Sequence, residues 1–278
     1  KQQYHTDKMM QRLLDNVCEL AVKVGHFQAA QRKTFIRDKV ESKHSHDYVS
    51  YVDKESEQMI VPALHQWLPE AGFMTEEKTI VQDVADAEYV WIVDPLDGTT
   101  NFIHDTGLWC VSIALKRRNE LLLGVVYEVT RGELFYAALG CGAWMRTADG
   151  ETRQLHVSSV NDMDQALVLV GYPYNAEGYR AFCMKISDRL YGRCASLRSF
   201  GSAEAEMCYV AAGRLDVYFE SFIQPWDVSA GAVILREAGG KVSDYAGTDK
   251  DWPSGRQVLA TNGLLHDTML AEIQCCLK

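Results

Sequence analysis

The sequence has no long hydrophobic run and no closely spaced cysteine pair, and each absence excludes a class of protein. No apolar stretch reaches the roughly 20 residues that a membrane-spanning helix needs. The amino-terminal segment lacks the apolar core of a signal peptide. None of the eight cysteines forms a C-x-x-C pair, so we expect reduced thiols rather than a zinc site or a disulfide framework. These features predict a cytoplasmic protein without a membrane partner.

Positive charge is also in short supply. The 28 lysines and arginines are outnumbered by 38 aspartates and glutamates, which gives a formal net charge of −10. Such a balance argues against a nucleic-acid partner and against an anionic membrane surface. It does not argue against a phosphate ligand, because bound cations reverse the local charge of an acidic site. The 278 residues are enough for one large domain or two closely packed subdomains.

The most informative stretch covers residues 91–104 and reads WIVDPLDGTTNFIH. The β-branched and aromatic run Tyr89–Val93 predicts a buried strand, which ends at Asp94 and Pro95. Asp94 and Asp97 are three residues apart, and two close carboxylates repel each other unless a cation lies between them. Mg²⁺ binds well to one or two carboxylates together with a substrate phosphate. An acidic turn between strands is the alternative interpretation.

The residues after Asp97 are suited to an anion. Gly98 allows a turn or a close approach of the backbone to a ligand. Thr99 and Thr100 can cap a following turn and leave free amides that point at a phosphate.

The whole stretch closely resembles the signature of the inositol monophosphatase family of Mg²⁺-dependent phosphatases. A second segment typical of that family begins at Trp226, reads WDVSAG, and is followed by EAGG from Glu237. The resemblance extends from about Asp47 to the carboxyl-terminal region. It implies a mixed α/β fold, the family's layered αβαβα sandwich. It also implies inhibition by Li⁺ and a homodimer.

Upstream of the signature, the stretch from Asp47 reads DYVSYVD and fits the family pattern D-x-V-(T/S)-x-x-D. On its own, Asp53 predicts the N-cap of a helix over residues 54–68. The resemblance makes Asp53 a candidate general base, whose carboxylate holds the Thr99 hydroxyl, which in turn orients a metal-bound water.

The segment 31–46 is charged, and we predict a solvated loop there. The nearby histidines fit no standard zinc spacing; they are His26, His44 and His46. Lys43 resembles a lysine that the family often carries in this loop, although its offset from Asp47 is one residue shorter than in the family.

Residues Phe73–Glu77 predict an apolar strand that leads into two adjacent glutamates. Adjacent glutamates usually indicate exposure to solvent. The family has G-E-E at this point, and its first glutamate is a metal ligand. The resemblance therefore implies that Glu76 binds metal and that Glu77 supports it or contacts a third ion, although Thr75 replaces the family's glycine.

The resemblance implies two or three Mg²⁺ ions per subunit, and a set of ligands for them. The implied metal ligands are Glu76, Asp94, the Leu96 carbonyl, Asp97 and Asp227, with Asp53, Thr99 and Glu76 as the catalytic residues. The implied substrate contacts are Asp97, Gly98, Thr99, Thr100, Gly201, Ser202, Ala203 and Glu220, with Arg198 as a helper.

The chain divides into two expected units, residues 1–150 with most metal ligands and residues 151–278 with the substrate contacts and the last metal aspartate. The first unit begins with an amphipathic helix from about Asp7 to Gly25 and continues with antiparallel strands. In the second unit strands alternate with helices, which indicates an α/β layer. The polar stretch Thr147–Arg153 marks the expected boundary.

These features predict Mg²⁺-dependent hydrolysis of a small phosphorylated metabolite, most simply inositol monophosphate. The alternatives within the superfamily are fructose 1,6-bisphosphate and 3′-phosphorylated adenosine nucleotides. Relatives that act on phosphoadenosine usually read G-T-K-E-F after the second aspartate, whereas residues 98–102 read GTTNF. A non-catalytic scaffold with this fold is a further alternative, against which the complete ligand set argues.

Overall fold

The computed structural model describes residues 2–36, 40–44, 47–80, 84, 86–174, 177–249 and 257–277. Helix α1 (Gln2–Arg32) leads to an antiparallel strand pair, β1 (Glu41–His44) and β2 (Asp47–Val49), which is followed by helix α2 (Tyr51–Trp67). The prediction of a loop over residues 31–46 is therefore wrong for β1. His46 lies outside the described residues.

A seven-stranded sheet forms next, in sequence order from β3 to β9. Strand β3 is parallel to β4, and the later strands form an antiparallel meander, as predicted for this part of the chain. A short helix, α3 (Thr99–His104), follows β4. The strands are β3 (Gly72–Thr75), β4 (Tyr89–Asp97), β5 (Cys110–Arg117), β6 (Glu120–Glu128), β7 (Glu133–Ala138), β8 (Ala143–Arg146) and β9 (Thr152–Gln154).

The remainder builds a five-stranded sheet in which β10 is parallel to β11 and β12, whereas β14 is antiparallel to β12 and β13. The strands are β10 (Leu167–Gly171), β11 (Ser196–Arg198), β12 (Val217–Ser221), β13 (Lys241–Ser243) and β14 (Gln257–Thr261). The helices are α4 (Arg180–Leu190), α5 (Ala203–Ala211), α6 (Ser229–Glu237) and α7 (His266–Leu277).

The two sheets and their helices stack as five layers. Side chains of α1 and α2, such as Val17 and Ile60, pack with Ile113 on the outer face of the seven-stranded sheet. Helices α5 and α6 lie between the sheets and share one core with both of them, and α4 and α7 cover the outer face of the five-stranded sheet. This is the predicted αβαβα arrangement.

Two helix boundaries differ from the predicted ones for reasons of packing and capping. Helix α1 does not stop at Gly25 but continues to Arg32. A Cβ at position 25 would lie 2.4 Å from the Tyr127 ring, so the glycine allows the helix to pack closely against that side chain. Helix α2 is capped by Ser50, whose hydroxyl accepts from the Val52 amide. Asp53 is the third helical residue and closes a capping box by accepting from the Ser50 amide.

The carboxyl-terminal half also differs in detail from the predicted pattern. A 3₁₀ turn, Pro225–Asp227, precedes α6, so Asp227 does not lie inside that helix. Strand β9 begins after residue 150 and pairs with β8, which precedes it. The turn that joins the two strands lies in the polar stretch 147–153. The division of the chain at residue 150 stays a prediction. No described helix has the length and apolar character needed to cross a bilayer.

Candidate metal and phosphate site

The end of β4 carries the two aspartates of the signature. Asp94 and Asp97 are buried, and the pairing of β4 with β5 becomes irregular between them. Gly98 then adopts a φ of +94°, and a Cβ at this position would lie 2.9 Å from the Leu108 carbonyl oxygen. Only glycine fits that left-handed turn without strain. The turn ends β4 and starts α3 at Thr99.

Asp53 and Thr99 come together from α2 and α3. The Thr99 hydroxyl lies 2.8 Å from Asp53 Oδ1 and 3.2 Å from the Leu96 carbonyl oxygen. Asp53 Oδ2 accepts instead from the Ser50 amide and hydroxyl, at 2.8 and 2.5 Å. The capping interaction therefore fixes one carboxylate oxygen and leaves the other for Thr99. Burial raises the pKa of Asp53, although its hydrogen bonds oppose the shift.

Glu76 and Glu77 follow β3 and face a lysine. Lys43 Nζ lies 3.1 Å from Glu76 Oε1 and 2.6 Å from Glu77 Oε1. The side chains of Glu76 and Glu77 are 22% and 2% exposed, so the solvent exposure usual for adjacent glutamates is not found here. Thr75 is fully buried in β3 opposite Val93, and the Glu76 amide still bonds to the Val93 carbonyl. The replacement of glycine by threonine therefore leaves Glu76 at the strand end.

The charges at this point are strongly coupled. Burial alone would lower the pKa of Lys43, but the carboxylates of Glu76 and Glu77 outweigh burial and raise it. Burial raises the pKa of Glu77 to about 8, with a further contribution from the charge of Glu76. The lysine ammonium thus supplies the positive charge between two buried acids.

Asp227, in the 3₁₀ turn before α6, lines a cavity together with acids of the first sheet. The cavity has a volume of about 440 Å³, and Glu76, Asp97 and Asp227 line it. Asp227 Oδ2 accepts from the Gln224 amide at 2.6 Å, which fixes the carboxylate in the 3₁₀ turn. Burial raises the pKa of Asp227 well above its ordinary value, and the charge of Glu76 adds to the shift.

The pKa of Asp94 shows that these acids repel one another. Burial raises it well above the ordinary value, and the charges of Glu76, Asp97 and Asp227 raise it further. Within the described ranges, no three His, Cys, Asp or Glu side chains converge closely enough to enclose an ion as they stand. Their donor atoms are nevertheless all oxygens, and mutual repulsion of buried carboxylates is relieved by a hard divalent cation. The donor chemistry therefore fits Mg²⁺.

The segment Gly201–Ala203 meets the signature at Asp97. Asp97 Oδ2 accepts from the Ser202 hydroxyl at 2.7 Å and from the Glu204 amide at 2.8 Å. A second link is the Asn101 side chain, which donates to the Phe200 carbonyl at 2.6 Å. The start of α5 is thereby fixed against the turn at Gly98, although the two lie more than 100 residues apart in the sequence.

Glu220 lies in the part of the cavity away from β4. It accepts from the Tyr218 hydroxyl at 2.5 Å, and burial raises its pKa to about 7. A Cβ on Gly171 would lie 2.3 Å from the Glu220 carboxyl carbon, so this glycine leaves the room that the carboxylate occupies. The predicted contact Glu220 is thus placed in the same cavity as the acids.

Arg198 does not join the cavity. Its side chain is exposed and donates to the Leu197 carbonyl oxygen at 2.9 Å. The wall beside Glu220 also includes Tyr172, Tyr174, Glu206 and Phe222, of which Glu206 and Phe222 were not predicted from the sequence. Thr100 lies near this region, because its side chain opposes the rise that burial causes in the pKa of Tyr174. The sequence signal available for part of this wall is Glu206, an acid in an otherwise apolar helix.

Comparison with known proteins agrees with this geometry. The model of the inositol monophosphatase family matches residues 9–278. The chain belongs to the inositol monophosphatase family. The Nus factor SuhB of Escherichia coli strain K12 is 35% identical over 265 residues, which cover 95% of this chain and 97% of that protein. The inositol-1-monophosphatase of Caulobacter vibrioides is 34% identical over 236 residues, covering 84% and 90%.

The fold of this family member is shared with solved structures. The IMPase of Thermotoga maritima superposes with a TM-score of 0.85 and is 31% identical, over 96% of this chain and 98% of that one. The predicted family and fold are therefore confirmed.

Proposed function

We propose that this protein hydrolyses a small phosphate monoester with the help of Mg²⁺. The observation that carries the proposal is the hydrogen bond from Thr99 to Asp53, which lies beside the buried acids at the end of β4. This arrangement places a proton acceptor next to a cluster of oxygen ligands. Hydrolysis of a phosphate monoester needs these two features, because phosphoryl transfer depends on positioning and on charge neutralisation.

The ligand set divides into two groups that share Asp94. Glu76, Asp94, the Leu96 carbonyl and Thr99 would hold the first ion, and Asp94, Asp97 and Asp227 the second. Bound there, Mg²⁺ would neutralise phosphate charge and lower the pKa of water. The magnesium dependence of this chain, its inhibition by Li⁺, its cytoplasmic location and a homodimer are parts of the same proposal.

The chain's own residues would handle the proton and the ester. Thr99 accepts a proton from the attacking water as its own hydroxyl proton passes to Asp53 Oδ1, the carboxylate oxygen that Ser50 leaves available. The amides of Gly98 and Thr99 would bind the phosphate at the start of α3. Lys43 would move away from Glu76 as the acids receive their cation.

The alcohol of the ester would lie against Gly201, Ser202, Ala203 and Glu220. An ionised Glu220 accepts hydrogen bonds from hydroxyl groups, which suits a polyol such as inositol. The described residues that line the cavity include two basic side chains, Lys43 and Lys78. Lys43 of β1 pairs with Glu76, and Lys78 follows Glu76 by two residues. The wall around Glu220 has acids and tyrosines, so a second phosphate would meet no cation there. This favours a monophosphate over fructose 1,6-bisphosphate.

The proposal is tested by phosphate release from a panel of esters with Mg²⁺, with and without Li⁺. The panel contains inositol 1-phosphate, fructose 1,6-bisphosphate and 3′-phosphoadenosine 5′-phosphate. We expect inositol 1-phosphate to be hydrolysed fastest and Li⁺ to suppress the rate. Faster hydrolysis of another ester would change the substrate, and no release from any ester by the folded protein would favour a non-catalytic scaffold.

A further inference from the structure

Glu204 is a fully buried acid at the start of α5 and is not among the ligands described above. Its carboxylate accepts hydrogen bonds from two other elements. Oε1 accepts from the Ser112 hydroxyl of β5 at 2.9 Å and from the Ala230 amide of α6 at 3.1 Å. Oε2 accepts from the Gly231 amide at 2.5 Å. One side chain therefore joins β5, α5 and α6.

Each of these three elements pairs with, bonds to or directly follows the segment of a different carboxylate of the proposed second ion site. Ser112 is the cross-strand partner of Asp94 in the pairing of β4 with β5. The Glu204 backbone amide donates to Asp97 Oδ2. Ala230 and Gly231 lie at the first turn of α6, directly after the 3₁₀ turn that contains Asp227. The side chain of Glu204 therefore joins segments that lie next to those carrying Asp94 and Asp227, and its own backbone amide holds Asp97.

We propose that Glu204 is a positioning residue, which sets the spacing of Asp94, Asp97 and Asp227 and thereby the affinity of the second divalent cation. The inference rests on the proposed function, because it takes these three acids as the ligands of that ion. Glu204 itself faces Ser112 and α6 and does not line the cavity. It therefore acts through its hydrogen bonds rather than by contact with substrate.

The hydrogen bonds around the Glu204 carboxylate are all accepted by its two oxygens. All three partners can donate to it, namely two backbone amides and one hydroxyl, and a carboxylate has only acceptors. A glutamine would turn one NH₂ group toward a donor and leave that donor without a partner. The space is also closed, since a Cβ on Gly231 would lie 2.6 Å from Glu204 Oε2.

A matched control exists in Glu128 at the end of β6. Glu128 is also fully buried, and its carboxylate also accepts from two backbone amides and one hydroxyl, those of Thr130, Arg131 and the Thr130 side chain. All its partners lie in the turn between β6 and β7. Glu128→Gln therefore makes the same chemical change in a place that does not link the three aspartates.

The test compares Glu204→Gln, Glu128→Gln and wild type by titration with Mn²⁺, a paramagnetic substitute for Mg²⁺, followed by electron paramagnetic resonance without substrate. Removal of a residue that orients metal ligands typically costs about 10- to 100-fold in metal affinity. We expect Glu204→Gln to weaken Mn²⁺ binding by about 10-fold or more and to raise the Mg²⁺ concentration at half-maximal turnover by a similar factor. Glu128→Gln should bind Mn²⁺ like wild type.

Equal Mn²⁺ affinity in wild type and Glu204→Gln, or an equal loss in both variants, would overturn the inference. Should Glu204→Gln not fold, Ser112→Ala removes only the contact with β5 and is judged by the same comparison. The result is separable from the proposed function, because the titration needs no turnover. A wild-type protein that binds Mn²⁺ but releases no phosphate would contradict the proposed function and leave the comparison of the variants valid.

Discussion

The two sides of the cavity are built in different ways. On the phosphate side, buried acids are held by neighbours, as when Ser50 fixes one oxygen of Asp53. On the alcohol side, Tyr172 and Tyr174 are 44% and 50% exposed and lie in the loop that follows β10. The acids on the phosphate side are therefore enclosed by protein, whereas the alcohol side presents side chains that are about half exposed to solvent.

Under the proposed function, the two sides of the cavity would have different tasks: one would carry out phosphoryl transfer and the other would select the alcohol. Phosphoryl transfer needs oxygen atoms held in fixed positions, which burial and hydrogen bonds provide. Recognition of the alcohol needs only a few acceptors and a surface, so residues there can change without loss of the reaction. We expect substitutions on the phosphate side to lower turnover and those on the alcohol side to alter mainly the KM and the choice of ester.

The largest effect is expected for Asp97→Asn on the phosphate side. The change halves the ligand capacity of a residue whose other oxygen is already bound by Ser202 and the Glu204 amide. Turnover of the best ester should fall by more than about 100-fold, since even indirect supports of a metal ligand are worth that much. Kinetic assay across Mg²⁺ concentrations checks it, with circular dichroism to verify the fold. Retained turnover would refute the metal role.

Thr99→Ala should have the next largest effect. It removes the hydroxyl between water and Asp53, so kcat should fall by about 100-fold, the lower range for loss of a general acid or base. The KM should change little, because the phosphate is held by amides. Thr99→Ser retains the hydroxyl and serves as the control; it should keep most of the rate. Equal losses in the two variants would show that the methyl packing matters rather than the proton path.

Glu220→Gln should change the alcohol side alone. Loss of a hydrogen bond to a charged acceptor is worth about 1.5–3 kcal/mol, so the KM for a polyol monophosphate should rise by about 10-fold or more at pH 8 with kcat maintained. Because the pKa of Glu220 is raised to about 7, the carboxylate becomes neutral as the pH falls below 7, and the advantage of wild type should shrink there. The ratio of the two KM values between pH 6 and pH 8 measures this, since titration of the substrate phosphate affects both proteins equally. A ratio independent of pH would contradict the assignment.

The smallest effect is expected for Arg198→Ala. The guanidinium is exposed and bonds to its own strand, away from the cavity. The value of kcat/KM should stay within about twofold of wild type, in line with surface substitutions that cost less than about 0.5 kcal/mol. A larger loss in the steady-state assay would show that Arg198 reaches the ester when substrate binds, as the family resemblance implied.

The local elements of the phosphate side could be predicted from the sequence because their geometry is local, whereas the roles of their residues stay predictions. Residues 89–93 form a strand by composition, but the predicted end at Asp94 and Pro95 was wrong. Strand β4 continues through both residues to Asp97, with an irregular pairing after Asp94, and ends at the left-handed turn of Gly98. Asp94, Asp97 and Thr99 follow from that turn. The role of Asp53 as N-cap was wrong, because Ser50 lies three residues earlier and competes better for the start of α2.

The alcohol side was harder to predict because its residues meet only through the tertiary fold. Tyr172 follows β10, Glu206 lies in α5 and Phe222 follows β12. No local spacing joins them. Glu204 was missed for a similar reason: an acid in an apolar helix reads as exposed until its partners on β5 and α6 are known.

Helices α5 and α6 form the inner layer that both sheets share, and their side chains lie in one core with Ile92 of the first sheet and Tyr218 of the second. Both sheets bury the apolar side chains of their inner faces against these two helices. Loss of the pair would expose both sheets at once, so we expect thermal unfolding in a single cooperative transition. The cavity, which Asp97 lines from the first half of the chain and Asp227 from the second, would therefore be lost in that same transition.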